Sequence, residues 1–125
     1  MTEDLFRLES LEPSAVEQLL ETAEGDTEFL QEIFQTYLES VRELQPVMDA
    51  ALNSQDWPTL HRAAHQLKSA SGYLGAQPLR ELFSQLQQLD HDAEAGLDML
   101  KTIADQIDQV AADATRICGY EEPSL

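Results

Sequence analysis

The chain has 125 residues, the size of one domain with a single core. It carries 24 acidic residues against 7 basic ones, a formal net charge of −17, and such a surface repels phosphate backbones and anionic membranes, which argues against nucleic acid or membrane as a partner. Hydrophobic residues make up 42% and aromatics only 6%, a mixture rich in Leu, Ala, Glu and Gln that rules against wholesale disorder and favours helix over sheet.

Helical periodicity recurs along the chain after the opening segment MTEDLFRLES, which is acidic and lacks the basic-then-apolar form of a secretory signal. Pro13 begins PSAVEQLLETA, with Val16, Leu19 and Leu20 on one face and Gly25 beyond the end, predicting a short helix over about 13–23. Asp26 is then an N-cap for a long helix to about Asn53, whose stripe is Leu30, Phe34, Tyr37/Leu38, Val41, Leu44, Met48 and Leu52. Pro46 interrupts that stripe and is a site for a kink. Asp56 caps the next helix, with Trp57 and Pro58 in its first turn and Leu60, Ala63, Ala64, Leu67, Ala70, Ser71 and Leu74 inward.

Gly75 stops that helix and Pro78 starts another, so the tight GAQP link predicts a helical hairpin, with Leu79, Leu82, Phe83, Leu86 and Leu89 inward on its second arm. The segment DHDAEAG breaks the pattern, and a last helix carries Leu97, Leu100, Ile103, Ala104, Ile107, Val110, Ala111, Ala114 and Ile117. GYEEPSL reads as a frayed tail over 119–125. The expectation is an all-α single domain over 1–125: an antiparallel four-helix bundle over about 26–118, with a short extra N-terminal helix. No apolar run approaches the roughly 20 residues that span a bilayer. The single cysteine, Cys118, allows no internal disulfide and fits a reducing compartment. A cytoplasmic monomer is expected.

The stretch HRAAHQLKSASGYLGA, residues 61–76, stands apart. At about 100° per residue with Leu60 at zero, the inward residues fill one band, and His65 falls at about 140°, opposite its centre. His61 at about 100°, Gly72 at about 120°, Lys68 at about 80° and Ser69 at about 180° share that solvent face, and Tyr73 at about 220° borders it. A helical glycine costs about 1 kcal/mol relative to alanine. Gly72 therefore reads either as clearance for something large approaching His65 or as part of a fraying helix end. Residues 57–89 sum to +2 through Arg62, Lys68, Arg80 and Glu81, while the remainder of the chain sums to −19. This charge island suits a group that must carry an anion: neutral imidazole is a nucleophile, and a phosphoryl group on it needs countercharge. Lys68 at i+3 can supply that charge, Ser69 at i+4 a hydroxyl, and Gln87 on the next helix can reach across to orient the ring.

These residues carry a resemblance. AHQLKSASGYLGAQPLRELFSQLQ is similar to the signature of the histidine-containing phosphotransfer (HPt) family, A-H-x-L-K-G-x-(small)-x-x-L-G-x-x-x-L, with His65, Leu67, Lys68, Leu74, Gly75, Ala76 and Leu79 at matching positions. DTEFLQEIFQTYLES and ALNSQDWPTLHRAAH extend the resemblance to roughly residues 26–90. It implies a phosphorelay intermediate: His65 phosphorylated on Nε2, Lys68 stabilising the phosphoryl group and Gln87 hydrogen-bonding the imidazole. It further implies receiver domains of hybrid histidine kinases and response regulators as partners. No cofactor is expected on this chain itself, Mg²⁺ belongs to the receiver, and there is no ATP-dependent kinase activity. Arg62, Arg80 and Tyr73 are candidate contacts for the receiver. One departure is Ser69, where the family usually has Gly, which bears on partner preference. Two rivals stand beside this reading. One is a helical scaffold without chemistry. The other is a metal site built on His61 and His65, whose spacing lacks the glutamate of H-E-x-x-H.

Overall fold

The computed structural model describes Leu8 and residues 10–123. The rest of the opening segment and of the tail, on which the signal and fraying readings partly rest, lies outside the described residues. Among the described residues five helices follow one another: α1 (Pro13–Ala23), α2 (Thr27–Ser54), α3 (Trp57–Leu74), α4 (Gln77–Gln88) and α5 (Ala93–Cys118). Their starts are fixed by local chemistry. Asp26, Asp56 and Asp92 each accept from the backbone N–H three residues on, and α1, α3 and α4 have proline in the first two positions, where no intrahelical donor is needed.

Helices α2 to α5 close a ring in which each packs on its sequence neighbour and α5 returns to α2, the antiparallel four-helix bundle expected, with α1 lying against α2 and α3. The interior is filled from all four: Phe34, Leu38, Val41, Met48 and Leu52 of α2, Leu60 and Leu67 of α3, Leu79, Phe83 and Leu86 of α4, and Ile103, Ile107 and Val110 of α5, all at 0% exposure. Pro46 stays within α2, which runs unbroken on an exposed face. Proline lacks the N–H that would bond the Arg42 carbonyl, and solvent is there to take that acceptor.

Two expectations are corrected. The segment DHDAEAG is mostly helix, because Asp92 caps α5 and the helix starts at Ala93. Gly96 belongs to that first turn, buried where a Cβ would stand 2.4 Å from Leu52 Cδ2 and 2.9 Å from Leu89 Cδ2. The tail is not frayed over 119–123. Gly119 ends α5 in the left-handed region, Tyr120 is buried, and its carbonyl accepts from Thr115 Oγ1 at 2.6 Å. Glu122 then receives two hydrogen bonds from Arg42, at 2.8 and 3.2 Å, and Arg42 also pairs with Asp108. A bidentate guanidinium–carboxylate pair of this kind anchors the segment against α2. At the other end, Ser10 donates from its backbone N–H and its hydroxyl to buried Asp113 of α5, at 3.0 and 2.5 Å.

The α3–α4 hairpin positions everything that follows. Gly75 sits at φ +78°, with Ala76 N–H bonded to the Ser71 carbonyl and Gly75 N–H to the Gly72 carbonyl, a Schellman ending that satisfies the last carbonyls. A Cβ at Gly75 would also meet Ala15 Cβ at 2.4 Å, and the Gly75 carbonyl accepts from Glu12 N–H at 2.9 Å. The glycine is therefore required both by the turn and by the docking of α1.

Candidate functional site: the outer face of α3

His65 is exposed on α3, as its place on the helical wheel predicts. Across the hairpin, the Gln87 amide nitrogen lies 3.0 Å from His65 Nδ1. In this orientation the amide N–H donates and Nδ1 accepts. A half-turn of the amide puts its carbonyl oxygen in the same place, where it would accept from Nδ1–H, so Gln87 can serve either neutral tautomer. In both cases the ring of this exposed residue is held by Nδ1, and Nε2 has no hydrogen-bond partner among the described residues.

His61, one turn earlier, is half-buried and turned to the hairpin, where its Nε2–H donates to the Leu89 carbonyl at 2.5 Å. That bond meets a carbonyl at the C-terminal end of α4, one of those a helix leaves unpaired. The two histidines thus have different jobs despite their i, i+4 spacing. Among the described residues no group of three or more His, Cys, Asp or Glu side chains converges as a metal site would require.

Beyond His65, a shallow depression is lined by Lys68, Ser69, Gly72, Gln77 and Arg80. Lys68 is half-buried and Ser69 exposed. The space over Gly72, expected as clearance for an incoming molecule, is occupied by the Arg80 side chain: a Cβ there would lie 3.2 Å from Arg80 Cδ and 3.3 Å from its Nε. Fraying does not explain this glycine either, since α3 is closed by its Schellman ending. Arg62 is exposed towards the start of α3, 3.4 Å from Thr59 Oγ1. Tyr73 is 61% exposed and lines an apolar groove between α2 and α3 with Phe29, Ile33, Thr36 and Ala70.

The lysines and arginines among the described residues sort into two sets. Arg42, Lys101 and Arg116 each lie within 4.0 Å of a carboxylate. Arg62, Lys68 and Arg80 have no such partner among the described residues, and all three flank His65 on the hairpin. Sequence reasoning missed Gln77 and Phe29. Gln77 carries no pattern that marks it, while Phe29, a large apolar residue off the α2 stripe, was a readable signal of an exposed apolar spot.

The Hpt domain family model matches residues 32–113, more than half of the 125-residue chain and a span that contains His65, Lys68 and Gln87. The chain belongs to the Hpt domain family, the helical bundles that carry out histidine phosphotransfer in two-component phosphorelays and interact there with receiver domains. Comparison with curated proteins and with solved structures gave no match. No helix among the described residues is long and apolar enough to cross a membrane.

Proposed function

We propose that His65 is the phosphorylated residue, taking a phosphoryl group from a receiver aspartate and passing it to the aspartate of a second receiver. The observation that carries this is the exposed imidazole whose Nδ1 is tied to Gln87, leaving Nε2 as the nitrogen without a partner among the described residues. In the accepting step the proton of the neutral ring sits on Nδ1, held by the Gln87 carbonyl oxygen. The Nε2 lone pair attacks phosphorus, the N–P bond forms, and the acyl-phosphate P–O bond breaks, with its electron pair leaving on the aspartate carboxylate. The donating step is the reverse with a second carboxylate. Lys68 stands one turn from His65 and neutralises charge on the phosphoryl oxygens; Ser69 offers them a hydroxyl.

Most of the catalysis in such a transfer is positioning and electrostatics. This chain contributes a nucleophile on a rigid hairpin and local positive charge. We assign Mg²⁺ to the receiver, where it supplies charge neutralisation on the phosphoryl oxygens. The domain acts as a cytoplasmic monomer without nucleotide chemistry of its own, shuttling between the receivers of hybrid kinases and of response regulators.

The test is transfer from receiver domains of the source organism, phosphorylated with acetyl phosphate. Acid-labile, alkali-stable label should appear on the parent chain and be absent from His65→Gln. No label from any receiver would replace this reading with that of a scaffold.

A further inference from the structure

Gly72 and Arg80 belong to different helices, yet the absence of a side chain on the first makes room for the second. The Arg80 stem lies against α3 at Gly72, with Cδ and Nε at 3.2 and 3.3 Å from where a Cβ would be, closer than most Cβ contacts. Arg80 is exposed, and an arginine whose stem rests against a neighbouring helix is partly positioned before it meets a ligand, which lowers the cost of binding.

What it is held for follows from its lack of a partner. The chain has 24 acidic residues, yet none stands three or four positions from Arg80, where a helical ion pair forms: those positions hold Ala76, Gln77, Phe83 and Ser84. The same is true of Lys68, whose corresponding neighbours are Ala64, His65, Ser71 and Gly72. By contrast Lys101 has Asp98 and Arg116 has Asp113 at i−3. Arg80 and Lys68 share one depression, and among the described residues neither has a carboxylate within 4.0 Å.

Their distances from His65 separate their roles. Lys68 is one turn away, within reach of a phosphoryl group on Nε2. The seat of Arg80 is two turns away, about 10 Å along the axis, and faces whatever protein is docked on the histidine. We propose that Arg80, seated over Gly72, is a specificity-determining docking residue that pairs with a carboxylate on the docked receiver. This rests on the phosphotransfer reading above and deepens it. Guanidinium and carboxylate match as a planar, two-bond pair, which lysine cannot reproduce.

The experiment measures kcat and KM for transfer from acetyl-phosphate-labelled receivers, with the parent, Arg80→Ala, Gly72→Ala and the double variant, at low and high salt. Arg80→Ala should raise KM by about threefold to fivefold, as expected for a partner-facing charge pair. It should keep kcat and flatten the salt dependence. The lifetime of phosphorylated His65 in the isolated protein should be unchanged. Gly72→Ala should raise KM in the same direction but by less, because its methyl group crowds the Arg80 stem, and should add nothing in the Arg80→Ala background. Alanine is the better helix former, so loss of fold is not expected, and a thermal melt checks it. An unchanged KM in Arg80→Ala, additive effects in the double variant, or a shortened phosphohistidine lifetime would each overturn the inference. Failure of the parent to take label from any receiver is seen before any variant is compared, and it sinks the phosphotransfer reading together with this one.

Discussion

The hydroxyls of Tyr37 on α2 and Ser71 on α3 lie 2.7 Å apart in the bundle interior, both nearly sealed from solvent at 4% and 0% exposure. They form a polar tie beneath the helix that carries His65. Burial pushes the Tyr37 hydroxyl up from 10.0 to about 12, against the smaller opposing effect of its bond to Ser71. The folded chain therefore keeps this proton where the unfolded chain has lost it. The stabilisation is complete below pH 10 and disappears as pH rises through about 12. Two units correspond to about 2–3 kcal/mol. Denaturant melts should show stability falling between those pH values, and Tyr37→Phe should flatten that fall while lowering stability near neutral pH by about 1–2 kcal/mol. An equally steep alkaline loss in Tyr37→Phe would assign it to other groups.

Gly96 gives a prediction opposite to helix propensity. Gly→Ala inside an exposed helix is favourable by about 1 kcal/mol. Here the new methyl group meets Leu52 and Leu89 at less than van der Waals distance, and Leu52 is fully buried with no room to turn away. Gly96→Ala should destabilise the fold by about 1–3 kcal/mol through overpacking. A rise in melting temperature would show that the α2–α5 contact relaxes freely.

Gln87 is half-buried at the edge of the hairpin, and the hydrogen bond its side chain makes is to the imidazole. Replacing it with alanine should leave the melting temperature within about a degree or two, the usual outcome for a surface change, and slow transfer to and from His65 by about tenfold as ring orientation is lost. Gln87→Glu, which keeps an acceptor for Nδ1–H, should recover part of the rate. Equal rates in all three proteins would remove Gln87 from the mechanism.

Lys68 is assigned to the phosphoryl group itself, so its loss should be felt without a receiver present. In Lys68→Ala the label on His65 should hydrolyse several-fold faster, in keeping with about 1 kcal/mol from a half-exposed charged contact, with the fold intact. A lifetime equal to that of the parent would confine Lys68 to receiver docking.

Much of the hairpin was legible in the sequence because its signals are local. Asp56, Pro58 and Gly75 fix where α3 begins and ends within a few residues of themselves, and the spacing of Leu60, Ala64, Leu67 and Leu74 decides which way His65 must face. The Asp92 cap was just as local but was masked by a Gly96 whose reason lies on other helices, in Leu52 and Leu89. The seat of Arg80 on Gly72 depends on how two helices cross, which no single-helix pattern records. Asp113 is a still longer case: a carboxylate on an otherwise apolar stripe of α5 accepts both its hydrogen bonds on Oδ2 from Ser10, 103 positions away. Residues that cap, turn or face inward announce themselves; residues that complete one another across the bundle do not.

The Arg42–Glu122 clasp has a practical consequence for presenting the domain. It brings the chain past Cys118 back onto α2, beside Glu39, Glu43 and the outer edge of α5. The seam between α3 and α4, where His65 meets Gln87, is the opposite edge of the ring. Pro123 therefore stands beside α2, on the side of the ring away from His65. A sensor chip coupled through a cysteine at that position, Pro123→Cys, would hold every copy with His65 turned towards the solution.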